Sequence, residues 1–170
     1  KMIKKKKLES KKAMKILGVK KIEFNTLPDM KLDKVAHVDV NKIIEEKIKE
    51  FQPEIVYTHY WRDINKDHKL VFESTLVAVR PIPSQTVKKL YVYEVPSSTE
   101  WNIHGFNANV FEDINSFLDK KLDAIRCYES EIREYPHPRS VKAIEIYNKK
   151  NGISVGKKAV ERFKLIRELK

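Results

Sequence analysis

The sequence predicts an α/β fold, and three observations point to it. Segments with apolar residues at helical spacing alternate with short β-branched or aromatic runs. At 170 residues, 41% hydrophobic and 35% charged, the chain is long and apolar enough for one domain with a core. No internal repeat, low-complexity stretch or linker divides it, so residues 1–170 read as a single domain.

The elements follow in order. Residues 4–17 read as a helix, with Leu8, Met14 and Leu17 on one face and Gly18 as its stop. Residues 19–25, VKKIEFN, alternate as a short strand, and LPD makes the next turn. Asn41 is placed to cap a helix running to Phe51, with Ile43, Ile44, Ile48 and Phe51 as its apolar stripe. Pro53 ends that helix, and EIVYTH (residues 54–59) follows as a compact strand. After a polar loop, a helix is predicted from His68 to Val79, broken by Pro81 and Pro83. VKKLYVYEV (residues 87–95) is the next strand. The β-α-β-α-β order of this front half implies a parallel sheet with right-handed crossovers.

The remainder reads as mostly helical. Residues 113–132 carry Asn115 or Ser116 as cap and Phe117, Leu118, Leu122, Ile125 and Ile132 as stripe. RSVKAIEIYNKKNG reads as a helix ended by Gly152, and KKAVERFKLIREL closes this helical part.

Composition excludes several classes. No apolar run approaches the roughly 18–20 residues of a membrane span, and no apolar stretch follows the lysine-rich start as in a signal peptide. The single cysteine, Cys127, rules out an internal disulfide and suits the reducing cytoplasm; it reads as a small buried hydrophobe on a helix. The net charge of +11 raises a polyanion as partner. Yet 28 lysines against seven arginines, scattered along the chain, argue against nucleic acid, whose readers lean on arginine forks. The dense run Lys4–Lys7 reads as the solvated start of a helix.

Ligands of open α/β sheets bind beyond the carboxyl ends of strands. EIVYTH runs straight into the densest polar cluster of the chain: His59, Arg62, Asp63, Asn65, Asp67 and His68. Two readings stand side by side here. Asp63 or Asp67 caps the next helix and His68 packs, or the cluster is a metal or catalytic site. A calcium loop starting at Asp63 fails, because its sixth position is His68 instead of Gly and its twelfth Ser74 instead of Glu. Zinc suits His with Asp, but a catalytic zinc needs three protein ligands and an open position. His37, His104 and His137 are further candidates by residue type alone.

THYWRDINKDH (residues 58–68) resembles the second metal motif of the PIG-L/LmbE deacetylases. YVYEVPSSTEW, NVFEDI, KLDAIRCYESEIREYPHPRS and GISVGKKAVERFKLIR follow in that family's order and spacing, and the opening LESKKAMKILGVKKIEFNTLPD is similar as well. The resemblance covers essentially the whole chain. It implies a Rossmann-like sheet flanked by helices and a zinc-dependent hydrolase that removes the acetyl group of N-acetylglucosamine-like sugars. It implies His68 as a zinc ligand, with Fe²⁺ or Co²⁺ as other metals such a site accepts. Asn65 stands where the family often has a carbonyl-polarising histidine, and an amide NH₂ can still donate to an oxyanion. Asp67 stands beside the ligand as an orienting acid. Arg62, Asp63, Trp101, His137 and Arg139 are the expected substrate contacts. For Trp101, core packing is the competing role; for His137, shaping the turn between Pro136 and Pro138 is.

The sequence departs from the family in one respect: no His-Pro-Asp-Asp string, which supplies a His ligand, an Asp ligand and the general base, occurs in it. The chain is therefore expected to lack the N-terminal strands of the family fold and part of the metal site, and to be inactive by itself. Exposed strand edges are expected to favour association into a homo-oligomer. Three rival functions remain: a non-catalytic remnant of the same fold, a basic polyanion-binding module, and a structural or interaction protein with no site.

Overall fold

The computed structural model describes residues 2–170. Its elements run α1 (Met2–Leu17), α2 (His37–Phe51), β1 (Ile55–His59), α3 (Lys66–Ala78), β2 (Lys89–Tyr93), β3 (Val110–Asp113), α4 (Leu118–Arg126), α5 (Val141–Ile153) and β4 (Val160–Glu168). The architecture is the expected α/β, with helices flanking a four-stranded sheet ordered β1-β2-β4-β3. β1 and β2 pair in parallel, with Tyr57 opposite Tyr91 and His59 opposite Tyr93. β4 pairs antiparallel to β2, so the sheet is mixed where a parallel one was expected.

Four expectations need correction. The C-terminal segment is a strand, not part of a helical region. Val160, Phe163 and Ile166 recur every third residue and mimic a helix face, but pairing with β2 fixes the segment as β4. Residues 19–25 alternate like a strand but form none. A strand exists only through a neighbour's hydrogen bonds, and among the described residues none pairs with this segment. α2 begins at His37 after Ala36, so Asn41 lies inside it and caps nothing; Phe51, expected on the buried stripe, is 48% exposed. The helix predicted over 113–132 is α4 alone. Residues up to Asp113 belong to β3, whose end bends when the Asp113 side chain accepts the Asn115 backbone N–H at 3.0 Å.

The chain divides into two compact units. The first comprises residues 2–26 and 111–161. Its core joins Ile114, Leu118, Leu122, Ile144 and Ala159, with Ile125 and Val141 packed against them. α1 packs on α4. Glu9 is buried on α1 and its carboxylate accepts both the backbone N–H and the hydroxyl of Ser130, at 3.0 and 2.5 Å. Burying a carboxylate is tolerable here because it is hydrogen-bonded twice.

Gly152 does not end its helix as the sequence suggested; α5 continues to Ile153. Its role is space. A Cβ there would sit 2.5 Å from the Lys157 carbonyl oxygen and 2.9 Å from Ala159 N. Those neighbours are backbone and cannot turn aside.

The second unit comprises residues 27–110 and 162–170. Alternation along β2 sends Leu90 and Val92 to one face, where both are fully buried. Leu90 joins Val79 and Val87, with Ile48, Val56 and Ile166 packed around them. Val92 joins Tyr60 and Phe72, with Trp61, Phe106 and Ile166 alongside. α2 packs on α3, and the Thr58 and Thr75 hydroxyls meet at 3.0 Å to join β1 to α3. The other face carries an aromatic row in which Tyr57 stacks on Tyr91 at 5.1 Å and Phe163 meets Tyr57 edge-on at 5.2 Å.

Two substitutions test this packing by urea unfolding. Gly152→Ala is expected to cost about 1–3 kcal/mol, the usual penalty of overpacking. Leu90→Ala is expected to cost about 2–5 kcal/mol, transfer and cavity terms together.

Candidate active site

The site forms where β1 ends. Tyr60 is buried just past the strand and anchors the turn; its ring meets Trp61 at 4.5 Å and Phe106 edge-on at 5.0 Å. The chain then places Asp63 fully out of solvent. Asp63 Oδ1 accepts the Asn65 backbone N–H at 2.9 Å and the Ser98 hydroxyl. Oδ2 accepts the Thr99 hydroxyl at 2.9 Å. Burial pushes this carboxyl up, but the adjacent His68 and hydrogen bonds from Ser98, the Asn65 backbone and Thr99 outweigh it and hold the pKa down at about 2.

The donors come from a turn built for the task. Thr99 Oγ1 also accepts the Val95 N–H at 2.7 Å, and Glu100 accepts the N–H groups of Ser97 and Ser98 at 2.6 and 3.1 Å. Ser97 takes a positive φ of 63° to close this turn.

α3 begins with Asn65 as its cap: Oδ1 accepts the Asp67 N–H at 2.9 Å. The NH₂ of the same side chain lies 3.3 Å from His68 Nε2. With Nε2 accepting that donor, the His68 proton sits on Nδ1. Nδ1 lies 3.2 Å from Asp63 Oδ2, within ion-pair distance, but off the line of a hydrogen bond. Asp67 turns the other way, its Oδ1 accepting the Leu32 N–H at 3.1 Å. That bond ties the loop before α2 to the first turn of α3.

His59 completes the group. Its ring lies flat against His68, centroids 4.3 Å apart at 21°, and its Nε2 faces the Tyr93 hydroxyl at 3.2 Å. Burial first, and the adjacent His68 second, lower the His59 pKa to about 4, against an opposing pull from Asp63. Burial raises the Tyr93 hydroxyl to about 12. At neutral pH the tyrosine therefore donates and the neutral imidazole accepts. His59 Nδ1 is buried with no hydrogen-bond partner.

The structure thus brings Asp63, Asn65, Asp67 and His68 together. The cap of α3 is Asn65, not Asp63 or Asp67 as the first reading expected, and the same side chain faces His68. Asp63, expected at the substrate, is sealed among protein donors and serves His68 instead. Arg62 is exposed on the turn after β1, and Trp101 is 55% exposed, not a core aromatic. His137 and Arg139 belong to the other unit. There His137 Nδ1 accepts the Arg139 N–H at 3.1 Å, and the Arg139 guanidinium pairs with Glu131 at 2.6 Å. Sequence reasoning did not assign His59 or Tyr93 a role, and did not place the Ser98 and Thr99 hydroxyls on Asp63. The signal for His59 was its place at the strand end; for Ser98 and Thr99 it was the polar SSTEW string.

A metal finds a partial fit. A carboxylate beside Nδ1 of a histidine suits the orientation of a metal-ligating imidazole, and here Nε2 faces the Asn65 amide. Ligand number falls short: among the described residues no three His, Cys, Asp or Glu side chains are grouped to hold an ion. Nor, among them, is any helix long and apolar enough to cross a membrane.

A half-buried histidine on the first turn of α3, beside a buried carboxylate and just past a parallel strand, defines the candidate site of this α/β protein. Residues 1–79 match the PIG-L family, described as GlcNAc-PI de-N-acetylase, and the chain is PIG-L-like and related to deacetylases. It is 33% identical over 131 residues to the uncharacterized deacetylase YaiS of Escherichia coli (strain K12), covering 72% of this chain and 64% of that protein. The match therefore spans less than two thirds of that relative's length. The N,N'-diacetylchitobiose deacetylase of Pyrococcus horikoshii superposes with a TM-score of 0.71 at 18% identity, over 94% of this chain and 62% of that one. GalB of Pseudomonas putida KT2440, a 4-carboxy-2-hydroxymuconate hydratase, superposes with a TM-score of 0.71 at 22% identity, over 98% and 73%. Both structures show the fold; the hydratase shows that this fold also hosts other chemistry.

Acid should unfold the second unit in two windows. His59 has its pKa lowered on folding, so its contribution is complete above the unfolded value of about 6.5 and is lost as pH falls to about 4. Asp63 is lowered too, and its contribution is lost from about 3.9 down to about 2. Unfolding free energies measured from pH 8 to pH 2 should show both steps. Asp63→Asn should flatten the lower one and cost about 1–3 kcal/mol at pH 7, since it disrupts a buried hydrogen-bonded set.

Proposed function

We propose that this chain forms part of the active site of a zinc-dependent N-deacetylase acting on N-acetylglucosamine or a conjugate of it. The observation that carries the reading is His68, held by the buried Asp63 carboxylate with its Nε2 beside the Asn65 amide. The relationship to deacetylases supports the reaction, in which water adds to the acetyl carbonyl and the C–N bond breaks. Acetate and the free amine leave.

His68 Nε2 is the ligand atom this chain offers the metal, and Asp63 keeps the proton on the opposite nitrogen. When bound, zinc supplies a Lewis acid and lowers the pKa of its water to about 7. With Nε2 given to a metal, the Asn65 N–H that faces it in this structure would be released to act as the neutral donor to the developing oxyanion. It cannot deliver a proton as an imidazolium would, so its part is electrostatic. Asp67 acts through the backbone it holds, fixing the loop at Leu32. The exposed Trp101 and Arg62 offer a stacking face and a hydroxyl-binding fork to the sugar. Cytoplasm is the compartment that a single cysteine suits.

One imidazole does not make a catalytic zinc site. The chain alone is therefore expected to bind well under one zinc per molecule by elemental analysis and to release no acetate from N-acetylglucosamine. Supplying a segment with the family's His-Pro-Asp-Asp string should restore both, and His68→Ala in the restored protein should abolish both. Full zinc binding and turnover after His68→Ala would refute the assignment.

A further inference from the structure

Met30 lies in the loop between α1 and α2 with φ at 57°. That left-handed region favours glycine and asparagine, not a long side chain. The methionine is nevertheless 66% exposed and does not fold into the core of its unit. Its Sδ rests 3.5 Å from Asn65 Nδ2, the nitrogen that also lies 3.3 Å from His68 Nε2. The loop is not free to drift. Two residues on, Leu32 is buried and its N–H is held by Asp67 at 3.1 Å. Both attachments are to residues that open α3.

A disfavoured backbone conformation that delivers an apolar side chain beside the amide facing His68 is an observation that points to function. Methionine is unbranched and polarizable, and adapts to apolar ligand groups of varied shape. We infer that Met30 is a specificity-determining residue: its thioether forms the apolar wall that meets the acyl group, and the site favours N-acyl amino sugars with chains longer than acetyl. This rests on the proposed N-deacylase reading and names the substrate class for it.

The test uses the intact chain labelled with ¹³C-methyl methionine. It has three methionines, so the Met30 resonance is identified by its loss in Met30→Gly. N-acetyl-, N-butyryl- and N-hexanoylglucosamine are titrated in turn, with the His68 ring protons followed in parallel. The Met30 methyl should shift with each sugar, and affinity should rise about threefold to fourfold per buried methylene. In Met30→Gly, which suits a positive φ, the His68 ring should still respond to N-acetylglucosamine while the chain-length gradient disappears. A His68 response with an unmoved Met30 methyl, or a gradient that survives in Met30→Gly, overturns this inference alone. No response of either residue to any of the three sugars overturns it together with the deacetylase reading.

Discussion

One buried anion organises the active-site end of the second unit. An ionised carboxylate in a protein interior is costly unless charge and hydrogen bonds replace water around it. Asp63 is fully buried, and two hydroxyls and a backbone N–H do replace that water. The donors come from two parts of the chain. The Asn65 N–H sets the turn into α3, and Ser98 and Thr99 bring in the turn after β2. What remains of the carboxylate's field falls on His68. Removing the charge would loosen both segments at once, so the site's geometry and the local fold are one property.

Much of this was legible in the sequence because the signals are local. β1 and β2 are dense β-branched and aromatic runs, α3 follows a polar loop, and the cluster around His68 sits where α/β chemistry belongs. What stayed hidden depended on partners distant in sequence. β4 is nine residues whose apolar spacing suits a helix as well as a strand, and only its pairing with β2 decides. Residues 19–25 show the converse: strand-like alternation with nothing to pair with. Within the site, the roles of Asp63 and Asp67 could not be separated by spacing. One is sealed against the hydroxyls of residues 35 and 36 positions away; the other faces a backbone N–H 35 positions back. The stack of His59 on His68 likewise required knowing that a strand end and the first turn of a helix meet.

Fold and chemistry contribute unequally to the functional reading. A deacetylase and a hydratase share this fold with the chain, so architecture alone leaves the reaction open. The match to the PIG-L model and the likeness to a deacetylase narrow it. The strong positive charge contributes little to that argument. Many of the lysines are tied into surface pairs such as Lys121 with Glu161 and Lys88 with Glu54, and these sit in both units.

Asn65 carries a consequence for how such a site can change over time. Its oxygen holds the helix start and its nitrogen faces the imidazole. Rotating the amide by half a turn would set nitrogen against the Asp67 N–H and oxygen toward His68, so the side chain has only one workable orientation. A residue that replaced it for better chemistry would have to cap α3 as well, and a residue chosen for a better cap would have to keep a donor at the imidazole. Serine or aspartate would satisfy the helix and leave the imidazole without its amide partner. The position is thus constrained from two directions at once.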